Sequence, residues 1–396
     1  MNLFIIPSEY PSKSQPLGGI FTQEQAAAIA ELCSDIKVII STWGHSDGDI
    51  PIRHPQKLLD VLKWRFYQHR NQIRQRGDCW EVFNPTINWS HRLPFGGINR
   101  LLAVNRRNYG LAIKTFGKID LIHAHFSYPA GYIAYILSQE FNIPYVLTEH
   151  MSPFPFPFFM HEGKPWPEIE LAFAHAAQSI AVSQSLKKRL VSFGYKEPMV
   201  VPNIVDERRF FIGEPTSQKF IFFTLCGMTD QKGINHLLEA IALWNPPVDQ
   251  FQFRIGGDGP MLNAYKKTAD RLRISNRVQW LGAVSREDAP LLFREAHIYV
   301  MPSLHESFGV VYAEAIASGK PIIATRCGGP EFIVNENNGR LIDIGDVNEL
   351  SQTMQEMAEH WAQYSPLVIR KDFEQRFSRP AVVAQLRTLY ETVIKI

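Results

Sequence analysis

Short apolar runs separated by helix-length amphipathic stretches recur along the whole chain, and this alternation restricts the fold more than any single motif. Residues 3–6, 37–41, 121–124, 145–148 and 180–182 form one series, and 220–225, 252–256, 278–281, 298–301, 322–325 and 340–342 form a second. Short runs without polar alternation suit strands covered on both faces, as in a parallel sheet. Strands alternating with helices imply a doubly wound α/β architecture. At 396 residues the chain is too long for one ordinary domain, and the two series part near Val201-Pro202-Asn203. The expectation is two facing Rossmann-like domains with parallel sheets, 1–203 and 204–379. The helical pattern at 380–396 is expected to pack back on the first. Ligands of such sheets sit outside the carboxyl ends of the strands, so the expected site is a cleft between the two domains.

The chain is 45% apolar and 20% charged, as expected of a globular protein with sizeable cores. It has no run of about 18 apolar residues that would cross a bilayer. MNLFIIPSEY reads as a strand rather than a signal peptide, since no basic segment precedes its apolar run. Cys33, Cys79, Cys226 and Cys327 are scattered, without zinc spacing, which fits buried thiols in a reducing cytoplasm. Net charge is +2, but residues 57–118 hold twelve Lys/Arg against three acids, a local +9 that leaves −7 elsewhere. Such asymmetry points to an anionic partner. Projected as one helix, residues 57–76 bring Leu58, Leu62, Phe66 and Ile73 within about 80°, beside a stripe of Lys63, Arg70 and Arg74. That pattern suits a helix lying on an anionic membrane, and equally one packed inward with solvated basic residues. No nucleic-acid module is recognisable, and no nucleic-acid partner is expected.

Several strand exits carry polar or glycine-rich motifs. Around Glu306 and Glu314 the sequence runs HESFGVVYAEAIASG. It predicts a loop holding Glu306, an N-cap at Ser307 and a helix over 309–318 closed by Gly319. Glu306 can accept from hydroxyls, and the free N–H groups beside it can take phosphate oxygens. Glu314 is placed for the far end of an extended ligand. Lys232, in the strand-to-helix loop Gly227–Gly233, is placed for phosphate, though a solvated lysine fits as well. This is not a P-loop, since no Ser/Thr follows the lysine and glycine. Gly18-Gly19 allow close backbone approach to an anion, and a plain turn explains them too. His123 and His125 share one strand face. Site histidine and core histidine are both open readings for His125, and no third residue completes a metal set. Glu149 and His150 end the next strand in the same way. Asp47-Gly48-Asp49 reads as a turn, and Ser152–Pro167, where prolines alternate with Phe and Trp, as a loop.

In order, GGI, HAH, TEH, VPNIVD, the Lys232-Gly233 loop, GGDGP, PSLHESFGVVYAEA and GGPE resemble the family-4 retaining glycosyltransferases of GT-B fold. The resemblance runs over nearly the whole chain and is strongest from 201 to 343. It implies a nucleotide-sugar donor, UDP- or GDP-linked, and a saccharide or lipid-linked saccharide acceptor in surface-polysaccharide synthesis. It further implies retention of configuration without an obligatory metal or other cofactor. Glu306 would hold the sugar hydroxyls, and the amides of Ser307, Phe308, Gly309 and Val310 the sugar and diphosphate. Glu314 would bind the ribose and Lys232 the diphosphate, with Gly18-Gly19 approaching the phosphate from the N-terminal domain. His125 would sit near the transferred sugar, and Glu149 and His150 on the acceptor side. The base is expected near 282–285. Where the family often carries an arginine, this chain has Gly227. A nucleotide-sugar epimerase of the same fold and a non-catalytic nucleotide-sugar or glycan binder are the alternatives. The expected location is the cytoplasm, at the inner face of the plasma membrane through residues 57–118.

Overall fold

The computed structural model describes residues 1–50, 58–89, 97–215 and 217–395. The chain divides into two compact units. Unit 1 comprises Met1–Val182, Lys187–Val201 and Val382–Ile396, and unit 2 Ser183–Leu186 and Pro202–Ala381. The terminal helix Arg379–Ile394 thus passes into unit 1 from Val382 onward.

Among the described residues, the unit 1 sheet has eight strands. Their order is Met199–Val200, Gln178–Ala181, Tyr145–Glu149, Leu121–His125, Asn2–Pro7, Lys37–Thr42, Cys79–Phe83, Gln72–Arg76. All neighbours are parallel except the last pair. The unit 2 sheet is parallel, ordered Val278–Gly282, Phe251–Gly256, Phe220–Leu225, Ile298–Met301, Ile322–Thr325, Gly339–Ile342. In each sheet the first strand of the unit is central and the order reverses beside it. That reversal leaves a crevice at the strands' carboxyl ends, where loops leave in opposite directions. Strand cores such as Leu3–Ile6 and Ile322–Ala324 are solvent-free because helices cover both faces.

Two local expectations fail. The helix expected over 57–76 spans only Leu58–Tyr67. Asn71 takes a left-handed conformation (φ 55°), and Gln72–Arg76 then runs as a strand antiparallel to Cys79–Phe83, turning at Gly77 (φ 58°). Arg74 and Arg76 therefore serve the sheet. Arg74 stacks 4.5 Å over Phe83, and Arg76 Nε lies 3.3 Å from Glu81 Oε1. Arg74 and Arg76 on one face, with Ile73 and Gln75 on the other, satisfy the strand period better than the helical one. Lys57 and Arg92 of the basic segment lie outside the described residues. The second failure is Ser307: the helix is Val310–Ala317, capped by Gly309 at φ 83°.

The four cysteines are free; Cys33, Cys79 and Cys226 are buried and Cys327 half-buried. Among the described residues no helix is long and apolar enough to cross a membrane. The proline-rich stretch forms a short 3-10 turn and small strands before the helix Pro167–Ala174.

Candidate active site

Unit 2 builds its site at the crevice between Phe220–Leu225 and Ile298–Met301. The loop after the first strand ends in a 3-10 turn, Asp230–Lys232, closed by Gly233 at φ 64°. A Cβ on Gly233 would stand 2.0 Å from Pro302 O, so only glycine lets this loop press against the loop after the neighbouring strand. Leu304 N donates to Gln231 O (2.7 Å) and Gln231 Nε2 to His305 O (2.6 Å), which fixes the two loops together. Lys232 Nζ then reaches Glu306 Oε1 at 2.5 Å, and Ser303 Oγ donates to the same oxygen at 3.0 Å.

Glu306 is backed from behind. Its N–H donates to Cys327 O, its carbonyl accepts from Gly329 N (2.7 Å), and it bridges Gly328 as a one-residue strand. The side chain is 8% exposed and that of Lys232 21%, so the pair is largely withdrawn from bulk water. An ammonium has three donors and Glu306 takes one, which leaves hydrogen-bonding capacity for an anion. The first N–H groups of the helix Val310–Ala317 have no intrahelical acceptor and carry the positive helix end to the same region. Phe308 is a core side chain, packed on Phe377 at 5.6 Å; only its backbone is placed for a ligand.

Glu314 lies on the second turn of that helix. Burial pushes its carboxyl up to about 7, and Arg286 and Arg209 pull it back toward ionisation. Arg209 donates to the Arg286 carbonyl, which ties these cations together. Sequence reading missed both arginines, which are distant in the chain and brought in only by the fold, and gave Ser303, inside the quoted motif, no role. Gly227 has nothing within 4 Å of a built Cβ and no left-handed φ, so packing does not require glycine there. Gly257 is different: its Cβ would stand 1.8 Å from Cys226 O. The GGDGP loop thus supports the lysine loop through Met228 N to Asp258 O (2.9 Å) and Met261 N to Met228 O (3.0 Å).

In unit 1 the two strand histidines separate in role. His123 is solvent-free, with Nδ1 2.7 Å from Tyr390 Oη and Nε2 2.7 Å from Thr148 Oγ1; burial lowers it to about 3, so it is a neutral tie to the terminal helix. His125 stacks between His123 and His150 at ring separations of 4.3 and 5.3 Å, its Nδ1 3.0 Å from His150 Nε2. It is 0% exposed, and its Nε2 is buried without a hydrogen-bond partner among the described residues, an atom that a ligand or water is needed to satisfy. Glu149 is solvent-free and spends both oxygens on Ser127 Oγ and the amides of Ser127, His150 and Met151. Both oxygens are thus occupied within the protein, and the side chain orders the loops after two strands. Gly19, at φ 62°, caps the helix Ile20–Leu32, and a Cβ would meet Glu9 O at 2.1 Å. Close backbone packing thus accounts for Gly19, while Gly18 carries no such requirement.

Beside the carboxyl ends of Asn2–Pro7 and Lys37–Thr42 lies a cavity of about 1340 Å³, with Tyr10, His45, Asp49, Trp64, Arg74 and Glu81 in its wall. Tyr10 Oη donates to Glu81 Oε1 at 2.8 Å. Neither ring nitrogen of the buried His45 has a hydrogen-bond partner. Asp47 does serve a turn, accepting from Lys13 N and Ser14 N. Among the described residues no group of three His, Cys, Asp or Glu is arranged for a metal ion.

Two family descriptions match the chain: "Glycosyltransferase Family 4" over residues 65–209 and "Glycosyl transferases group 1" over 205–369. The putative teichuronic acid biosynthesis glycosyltransferase TuaC of Bacillus subtilis is 25% identical, across 100% of this chain and 99% of its own length. An uncharacterized glycosyltransferase of Methanocaldococcus jannaschii is 29% identical over 77% of this chain and 84% of its own. Among solved structures, sucrose-phosphate synthase from Thermosynechococcus elongatus superposes with a TM-score of 0.75 at 19% identity, covering 100% of this chain and 99% of that one. Anabaena HepE in complex with UDP gives 0.70 at 19% identity, over 99% and 100%.

Proposed function

The chain belongs to the family-4 glycosyltransferases of GT-B fold, and on that premise we propose that it moves a hexosyl group from a UDP- or GDP-sugar to a saccharide or lipid-linked saccharide. The observation that carries this reading is the Lys232–Glu306 pair at the strand-order reversal of unit 2. Departure of a nucleoside diphosphate develops negative charge at its terminal phosphate. Lys232 and the amides at Gly309-Val310 supply fixed positive potential there, while Glu306 accepts from sugar hydroxyls. A charge-assisted hydrogen bond contributes about 1.5–3 kcal/mol and a helix terminus about 0.3–2 kcal/mol. These act without a metal, so activity is expected to persist in EDTA.

UDP in the Anabaena structure supports a uridine donor, and the name of the B. subtilis relative supports a surface polysaccharide as destination. Unit 2 is assigned the donor. Unit 1 is assigned the acceptor, in the cavity walled by Tyr10, Trp64 and Glu81, where aromatic faces and the buried Glu81 suit a sugar ring. The partnerless Nε2 of His125 is assigned to the transferred sugar. Retention follows from attack on the face the diphosphate leaves, since Glu306, already bonded to Lys232 and Ser303, is a hydroxyl holder rather than a covalent nucleophile. Proton NMR of the product from a defined α-linked donor tests this. An α-linked product is expected; an inverted linkage, or an epimerised donor formed without acceptor, overturns the assignment.

A further inference from the structure

The helix Leu58–Tyr67 divides its surface between two surroundings. At about 100° per residue, Asp60, Lys63, Trp64 and Tyr67 fall together, and all four line the large cavity. Leu58, Leu59, Leu62 and Phe66 occupy the opposite 100° or so. Three of these are notably open: Leu59 is 66% exposed, Leu62 46% and Phe66 84%. Leaving such a face in water forfeits the burial that ordinarily holds an amphipathic helix in place.

Arg65 borders the apolar face and opens a second, smaller cavity of about 300 Å³. Arg70, Arg100 and Arg107 line it too, and among the described residues no acid does. Arg100 and Arg107 stand seven residues apart on the helix Ile98–Phe116, so both present the same side. Arg65 Nη1 donates to Gln68 O and Arg100 Nη1 to Ile87 O, each at 3.5 Å. Burial and the neighbouring Arg70 both push the Arg65 guanidinium below its usual value, so an anion in this cavity relieves repulsion already present. Four guanidinium groups around so small a volume suit a phosphate group.

We propose that this face docks on an anionic bilayer, with Leu59, Leu62 and Phe66 entering the acyl boundary and the four-arginine cavity receiving a lipid phosphate. Apolar residues flanked by basic ones form the pattern of an interfacial helix. The inference rests on the proposed function only in what it adds: the same helix walls the acceptor cavity, so docking would present that cavity to lipid-linked saccharides. It replaces the longer amphipathic helix expected from sequence, because Arg74 and Arg76 belong to the sheet.

Co-sedimentation of the full chain with vesicles tests it, without donor or acceptor, so the result is independent of sugar transfer. Binding to phosphatidylglycerol-containing vesicles is expected to exceed binding to phosphatidylcholine alone by about ten-fold or more. Phe66→Asp, at an exposed position where folding is indifferent, and the double variant Arg70→Glu/Arg107→Glu are each expected to abolish that excess, with nucleotide binding retained. Equal binding to both vesicle types overturns the proposal, as does wild-type binding by Phe66→Asp. Calorimetric binding of inorganic phosphate without vesicle binding would make the cavity a soluble-phosphate site and overturn it as well.

Discussion

Lys232 Nζ lies 2.5 Å from Glu306 Oε1, although the residues stand 74 positions apart on loops that leave different strands. The contact depends on Gly233, whose missing Cβ lets one loop touch the other. On the proposed function, a diphosphate would meet a lysine already oriented by a carboxylate, so little ordering entropy would remain to be spent on binding.

Lys232→Ala is expected to lower kcat/KM for the donor by about ten-fold or more, the loss of one charge-assisted hydrogen bond. Glu306→Ala should lower it similarly. The double variant should lose clearly less than the two effects combined, because each change breaks the same pair. Steady-state kinetics of the four proteins checks this; full additivity would separate the two residues.

Glu314 sets a pH dependence. Its carboxyl is raised from 4.5 to about 7, so it passes from neutral to ionised as pH climbs through that value. Donor binding that uses the carboxylate to accept from ribose hydroxyls should tighten across the same range. Stability runs the other way: a raised carboxyl stabilises the fold fully below 4.5 and loses that contribution as pH rises through about 7. Glu314→Gln should flatten both profiles, read by donor titration and thermal melting at stepped pH. A wild-type donor profile that is already flat contradicts the assignment.

The two strand histidines should differ under mutation. Tyr390→Phe strands His123 Nδ1 in a solvent-free site and is expected to destabilise unit 1 by about 1–3 kcal/mol. His125→Asn, which removes the partnerless Nε2, should lower kcat with a smaller change in melting temperature. Melting curves alongside turnover distinguish these; a purely structural loss at His125 would remove it from the site.

Glycine positions offer a steric check. Gly227→Ala enters open space and should leave the melting temperature nearly unchanged. Gly257→Ala, at φ 130° with its Cβ 1.8 Å from Cys226 O, should destabilise strongly, because the loop holding Lys232 must move.

Much of the scaffold could be read from the chain because its strands are buried on both faces. Phe220–Leu225 and Ile322–Thr325 are continuous apolar blocks with polar or glycine-bearing flanks, and their bounds are as expected. The hairpin Gln72–Phe83 escaped notice because edge strands rich in arginine look like a basic helix until pairing is known. Ser307 resembled a cap, but Gly309 reaches the left-handed conformation at less cost and takes that place. In the site, Lys232 and Glu306 were visible one by one, and their contact was not. Arg209 and Arg286 gave no local signal, since their importance lies in neighbours that only the tertiary fold supplies, and Ser303 stood inside the quoted motif without a role assigned to it. Asp49 looked like a turn residue for the same reason.

Isothermal titration calorimetry with UDP and GDP, on wild type, Lys232→Ala and Glu306→Ala, tests the central claim most directly. At least one nucleoside diphosphate should bind wild type, and Lys232→Ala should weaken it by about ten-fold or more. If neither binds, or if the affinity ignores Lys232, unit 2 does not hold the donor where the paired side chains place it.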